Sequence, residues 1–231
     1  MRIGGLQKLT LLDYPGHIAC TVFTAGCNFR CPFCHNSSLV LPEDFGPVVE
    51  TDELLSFLQK RRGILDGVAI TGGEPMLHAD LPELLKEIKA LGFLIKLDTN
   101  GTFPERLEAL IEARLIDRVA MDIKNSPALY AETAGVPGLD LTAVDRSRAL
   151  LLEGRVEYEF RTTVVKPLHT AESLVEAAKW IGGAAEYYLQ QYRDPGSVIC
   201  SDGLGPYDES EMRAFAEAVR PYVPSVQLRG I

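Results

Sequence analysis

The sequence contains no apolar run near the roughly 20 residues that a membrane span requires, and it carries no excess of positive charge. Its 231 residues include 32 acids against 23 bases, for a net charge of -9. The first absence excludes a spanning helix. The second argues against a general nucleic-acid binder, which needs clustered Lys and Arg to neutralise phosphates. Neither nucleic acid nor membrane is therefore expected among the partners. The N-terminus, MRIGGLQKLTLLDYPG, lacks a basic start, a long apolar stretch and a small-residue cleavage site, so the expected location is cytoplasmic. No linker, repeat or low-complexity tract interrupts the chain. Its length suits one domain, 1–231, with an ordinary globular composition of 46% hydrophobic and 24% charged residues. Cysteine is scarce and odd in number. Of five cysteines, three fall within eight residues, a poor layout for disulfides and a good one for a metal in a reducing compartment. Cys20, inside the apolar run IACTVF, reads as a buried structural thiol, and Cys200 is isolated.

Alternation of short apolar runs with longer segments of helical spacing organises the rest. The spacing predicts strands over 18–24, 68–71, 93–98, 118–122, 156–165, 185–191 and 225–228. Helices are predicted between them over 52–62, 81–91, 104–113, 141–153, 171–181 and 209–219. Right-handed crossovers between such units give a parallel sheet with helices outside. Six units fall short of the eight in a closed barrel of about 250 residues. The expected fold is thus α/β, an incomplete (β/α)6 TIM-like barrel open on one side, with an open doubly wound sheet as the competing layout. Polar residues gather where predicted strands end: at 27–35, 72–74, 98–100, 122–124 and 192–193. In parallel α/β folds that face carries the active site.

The first of these clusters holds Cys27, Cys31 and Cys34, spaced C-x3-C-x2-C. Structural zinc sites and electron-transfer clusters ordinarily take four protein ligands, so three thiolates leave one metal position open. His35 is a possible fourth zinc ligand, but its adjacency to Cys34 would demand an awkward chain reversal. Thr71-Gly72-Gly73-Glu74-Pro75 follows a predicted strand and could be either a plain turn or a close backbone approach to a ligand. No Gly-Lys-Ser or Gly-Lys-Thr follows it, which disfavours a phosphate loop. Asp98-Thr99-Asn100-Gly101 can be read as a turn, Asp122 and Lys124 as a surface ion pair, and Arg161 as a strand charge that needs a partner if buried. His78, His169 and Trp180 read as structural or solvent-exposed.

The cysteine spacing, continued by His35-Asn36 and with Phe33 before the last cysteine, resembles the cluster loop of the radical S-adenosylmethionine superfamily. That resemblance implies a [4Fe-4S] cluster on Cys27, Cys31 and Cys34. S-adenosylmethionine would chelate the fourth iron and be cleaved reductively to methionine and a 5'-deoxyadenosyl radical. Gly72, Gly73 and Glu74 then match the motif that binds the amino group of the cofactor's methionine. The Asp98 to Gly101 stretch, with Asn100, and the Asp122 to Lys124 stretch are similar to segments lining the cofactor pocket of glycyl-radical-activating enzymes. The same resemblance assigns Arg161 to the cofactor carboxylate and places Phe33 and His35 beside the cofactor. Tyr192-Arg193 falls where activating enzymes have a Tyr-His pair near the adenosine, and Arg193 departs from that histidine.

Three further stretches narrow the resemblance: Ile3 to Lys8 with Asp13-Tyr14-Pro15-Gly16, Cys31 to Asn36, and Val226-Gln227-Leu228-Arg229-Gly230. Together they are similar to the anaerobic ribonucleoside-triphosphate reductase activating protein family. The implied reaction is abstraction of a glycine α-hydrogen from a partner glycyl-radical enzyme, with flavodoxin or ferredoxin as electron donor. No insertion carries further cysteines, so auxiliary clusters are not expected. The alternative is a radical enzyme acting on a small molecule, as in 7-carboxy-7-deazaguanine synthase.

Overall fold

The computed structural model describes residues 1–194, 196 and 198–231. Among them, eight strands form one sheet whose spatial order is the chain order. They are β1 (Ile3–Thr10), β2 (Ala19–Thr24), β3 (Gly67–Gly72), β4 (Leu94–Thr99), β5 (Arg118–Asp122), β6 (Glu157–Val164), β7 (Tyr187–Gln191) and β8 (Val226–Arg229). β1 runs antiparallel to β2, and every later neighbour is parallel. β1 and β8 form the two edges, so the sheet stays open. This is the expected open α/β barrel, with one antiparallel strand added in front. β1 escapes the periodicity reading because Gly4 and Gly5 interrupt it and its middle is polar and half-exposed.

Helices α1 (Ser37–Val40), α2 (Thr51–Arg61), α3 (Leu81–Ala90), α4 (Pro104–Glu112), α5 (Tyr130–Thr133), α6 (Thr142–Leu152), α7 (Ala171–Trp180) and α8 (Glu209–Val219) occupy the connections. The sequence marks several of their starts. Proline stands in the first turn of α3 and α4, where a missing N–H costs nothing. α7 and α8 open on capping boxes, Thr170 with Ser173 and Asp208 with Glu211. Along α3, Leu81, Leu84, Leu85 and Ile88 recur at helical spacing, and all four are buried. Each side chain withdrawn from water in this way contributes roughly 1.5–3 kcal/mol.

The strands carry two different faces. On β4, Ile95 and Leu97 join the apolar core, as do Val119 and Met121 on β5 and Phe160 on β6. The alternate positions, Lys96, Asp98, Asp122, Arg161 and Thr163, line an internal cavity instead. The period-two alternation of a strand therefore puts the apolar layer on one side of the sheet and charged groups on the other. Deep on the charged side, Glu159 is fully buried between Arg118 at 2.9 Å and Arg229 at 3.1 Å. Pairing of this kind offsets the cost of withdrawing a carboxylate from water. No helix among the described residues is long and apolar enough to cross a membrane.

Candidate active site

A cavity of about 390 Å³ lies inside the curve of the sheet, against the strand C-termini. Cys27, Cys31 and Cys34 line it, from the loop that follows β2. That loop is held by its own backbone and by the segment after α5. Cys34 N donates to Cys31 O at 3.0 Å, Arg30 N to Ala134 O at 2.9 Å, and the Arg30 guanidinium to Cys27 O at 2.6 Å. Burial pushes the Cys27 thiol up to about 12 and the Cys31 thiol to about 11; Lys124 acts in the opposite direction on both. The metal-free loop therefore holds thiols, and metal binding there would release protons.

His35 is turned away from a shared ion. Its Nε2 lies 2.5 Å from Arg193 O, and its ring stacks on Tyr192. Among the described residues, no three His, Cys, Asp or Glu side chains are arranged to hold a single ion. Thiolates that each take a different iron of a cube stand farther apart than the ligands of one ion. Three soft donors in one loop, with a cation beside them, are the donor set that iron-sulfur clusters use.

The loop after β3 presses against the backbone that leads into the cysteines. Gly72 has φ +112, and a Cβ there would lie 2.4 Å from Thr24 N. A Cβ on Gly73 would lie 1.9 Å from Gly26 O. Both positions therefore demand glycine. Glu74 is fully buried and does not line the cavity. Its carboxylate accepts hydrogen bonds from Asn100 N at 2.7 Å, Thr99 Oγ1 at 3.0 Å and Met76 N at 3.1 Å. Burial raises it to about 7 even though these donors favour the ionised form.

The strands, with Lys124 just past β5, contribute a chain of alternating charge to the cavity wall. Lys96 pairs with Asp98; Asp98 meets Arg161 at 3.0 Å; Arg161 meets Asp122 at 3.0 Å; Asp122 meets Lys124 at 2.9 Å. Burial alone would raise the Asp122 carboxyl, but Lys124 and Arg161 outweigh it and hold the group at about 2. A relay of this kind fixes each side chain's rotamer and leaves the wall polar, able to orient a zwitterionic ligand by its charged ends.

The cavity collects Phe33, His35, Gly72, Gly73, Asp98, Asn100, Asp122, Lys124 and Arg161 with the three cysteines. Glu74 and Arg193 do not join them. The exposed Arg193 donates to Gly230 O at 2.7 Å, a role that needs no histidine at this position. His169, read as structural, is fully buried, with Nε2 2.8 Å from Lys124 O. Cys20 is fully buried, as its apolar surroundings predict, and Cys200 is exposed. Sequence reasoning missed Leu12, Asp13, Lys96, Thr163, Gln190 and Arg229 in the lining. A signal existed for Lys96 and Thr163, which stand two residues from Asp98 and Arg161 and so share their strand face.

Residues 21–181 match the Radical SAM superfamily. The chain belongs to the radical SAM superfamily. Membership implies a [4Fe-4S] cluster and S-adenosylmethionine, and the cysteine loop and charged wall fit that pair. A protein of Methanocaldococcus jannaschii with the provisional name of glycyl-radical enzyme activating enzyme is 31% identical over 239 aligned positions. That alignment takes in 99% of this radical SAM chain and 96% of the relative. The 7-carboxy-7-deazaguanine synthase of Halobacterium salinarum is 40% identical over 81 residues, which make up 35% of this chain and 31% of that protein. Among solved structures, a domain of the pyruvate-formate lyase-activating enzyme of Bacteroides vulgatus superimposes with a TM-score of 0.58 at 17% identity. It covers 71% of this chain and 99% of that one, a likeness of fold alone.

Proposed function

We propose that this radical SAM chain activates a glycyl-radical enzyme, with anaerobic ribonucleoside-triphosphate reductase as the partner. The observation that carries the proposal is one cavity shared by three thiols, two glycines that admit close backbone approach and an alternating charged wall. The relative from Methanocaldococcus jannaschii, aligned along nearly the whole of both chains, supports the choice of reaction.

In this reading Cys27, Cys31 and Cys34 hold the cluster, whose bound form supplies the electron that splits S-adenosylmethionine into methionine and a 5'-deoxyadenosyl radical. Gly72 and Gly73 let main-chain groups approach the cofactor's methionyl end. Asp98, Asp122, Lys124 and Arg161 orient its charged groups, and Phe33 and His35 flank it. The remaining lining side chains include Leu12 and Asp13 beside β1, Gln190 on β7 and Arg229 on β8. They lie toward the margins where the sheet fails to close, the side from which a protein loop can reach the cavity. Glycine suits such an approach because no Cβ shields its Cα–H. Flavodoxin or ferredoxin supplies the electron.

Anaerobic reconstitution tests the first half, with about four irons per chain and reductive release of 5'-deoxyadenosine expected. Bound zinc with no cofactor cleavage would reject it. Electron paramagnetic resonance of mixtures with anaerobic ribonucleoside-triphosphate reductase tests the second, with a glycyl radical as the expected signal. The likeness to 7-carboxy-7-deazaguanine synthase favours a second reading, in which the substrate is a small molecule; turnover of such a compound without any protein partner would establish it.

A further inference from the structure

Three side chains close a ring beside the first cysteine of the cluster loop. Asn100 Nδ2 donates to Asn28 Oδ1 at 2.8 Å, Asn28 Nδ2 donates to Thr102 Oγ1 at 2.9 Å, and Thr102 Oγ1 donates to Asn100 Oδ1 at 2.7 Å. Every bond runs in the same rotational sense, the arrangement in which each donor polarises the next. Thr102 N also donates to Asn100 Oδ1, at 3.0 Å. Both ends of the Asn100 amide are therefore engaged. The same Nδ2 points at Cys27 Sγ from 4.0 Å, and Phe29 N approaches that sulfur at 3.4 Å.

The ring joins parts of the chain 72 residues apart, and its anchor lies on a third loop. Glu74 takes the backbone N–H of Asn100 and the hydroxyl of Thr99, which fixes the turn that carries Asn100. The turn closes on Gly101, whose φ of +79 suits glycine. Asn100 is nearly buried, and hydrogen bonds to Asn28 and from Thr102 hold its amide.

We propose that Asn100 is a positioning residue for the cluster rather than a ligand of S-adenosylmethionine, aiming an N–H at the Cys27 thiolate and raising the cluster's reduction potential. An N–H directed at a cysteinyl sulfur stabilises the more negative, reduced cluster, and hydrogen bonds to the sulfurs are among the terms that set such potentials. Glu74 and Thr102 act through Asn100: Glu74 fixes its main chain, and Thr102 fixes the rotamer of its amide. The inference rests on Cys27 holding iron and is independent of which partner the enzyme serves.

The test is a mediated redox titration of the reconstituted protein without partner, followed by electron paramagnetic resonance of the reduced cluster, for Asn100→Asp and Thr102→Val. Asn100→Asp keeps the acceptor that Thr102 needs and removes the donor facing the sulfur but adds a negative charge, so Thr102→Val, which adds none, is the charge-neutral check. The expected result is a reduction equilibrium about tenfold less favourable, roughly 59 mV more negative for a one-electron couple, at unchanged iron content. Thr102→Val, which breaks the ring but leaves its main-chain N–H on Asn100 Oδ1, loosens the amide without removing the donor and shifts the potential the same way by less. A Thr102→Val potential within error of the parent would overturn the proposal whatever the Asn100→Asp shift. If Asn100→Asp loads no cluster, the Thr102→Val potential decides: a negative shift supports the proposal and an unchanged value overturns it. A parent chain that binds no iron would instead overturn the cluster assignment itself.

Discussion

The Arg161 guanidinium and the Asp98 carboxylate, 63 residues apart in the chain, meet at 3.0 Å inside the curve of the sheet. Arg161 also holds Asp122, so one cation separates two carboxylates that would otherwise face each other in a poorly hydrated space. Its planar fork can serve both at once, which a lysine ammonium does less well.

Arg161→Ala should therefore destabilise the metal-free protein by about 3–5 kcal/mol, the usual cost of removing one partner from a buried ion pair. Arg161→Lys should recover part of that loss. Urea unfolding of the three proteins at pH 7 measures both effects. Equal stability of parent and alanine variant would show that the relay does not contribute to the fold.

Glu74 leads to a dependence on pH. Its folded value, about 7, lies above the ordinary 4.5 because burial penalises the charge. The group's contribution to stability is thus fully present below pH 4.5 and is lost as pH rises through 7. In Glu74→Gln that contribution disappears. The stability of the parent relative to the variant should fall between about pH 5 and pH 8, as thermal unfolding of the metal-free proteins across that range would report. A difference that is flat or rises with pH contradicts the dominance of burial over the three donors at this carboxylate.

Much of this architecture was readable in advance, for identifiable reasons. Strands β2 to β8 announce themselves because each has an apolar side, and the helices between them repeat Leu and Ile at a spacing that only a helix presents to one side. β1 was invisible because its pairing with β2 is a tertiary fact and its own residues are half-exposed. α1 and α5 are single turns, too short for any periodicity. In the site, the cysteines and the two glycines were legible because chemistry and backbone sterics restrict those positions to one residue type. The role of Glu74 was not legible: its three donors come from Met76, from Thr99 at the end of β4 and from Asn100 just past it, neighbours supplied by the sheet order. Arg193, which the resemblance puts near the adenosine, lies outside the cavity lining and turns to Gly230 O, a direction that its place in the sequence does not fix.

Gly73→Ala should disrupt the site from the backbone outward. Its new methyl would stand 1.9 Å from Gly26 O, a backbone atom that cannot rotate away. The loop after β3 must then retreat from the cysteine loop, at a cost of about 1–3 kcal/mol and with loss of iron retention. Gly46→Ala, which places its methyl in open space, is the matched control. Iron content and melting temperature of the two variants, compared side by side, separate a steric effect at the site from a general intolerance of alanine.

The cysteines divide into two groups by experiment. Ala substitutions at Cys27, Cys31 or Cys34 should each abolish cluster binding, seen as loss of colour and of methionine release. Cys200→Ser, at an exposed position outside the cavity lining, should retain both. A Cys31→Ala protein that still cleaves S-adenosylmethionine would contradict the three-thiolate assignment.

Because the strands lie side by side in the order in which they occur along the chain, none has to be inserted between two already in place. During synthesis each new parallel strand meets an exposed margin left by its predecessor, so the sheet can grow from one end in step with the ribosome. A chain cut after β7 loses the β7–β8 ladder and, with Arg229, a partner of the buried Glu159.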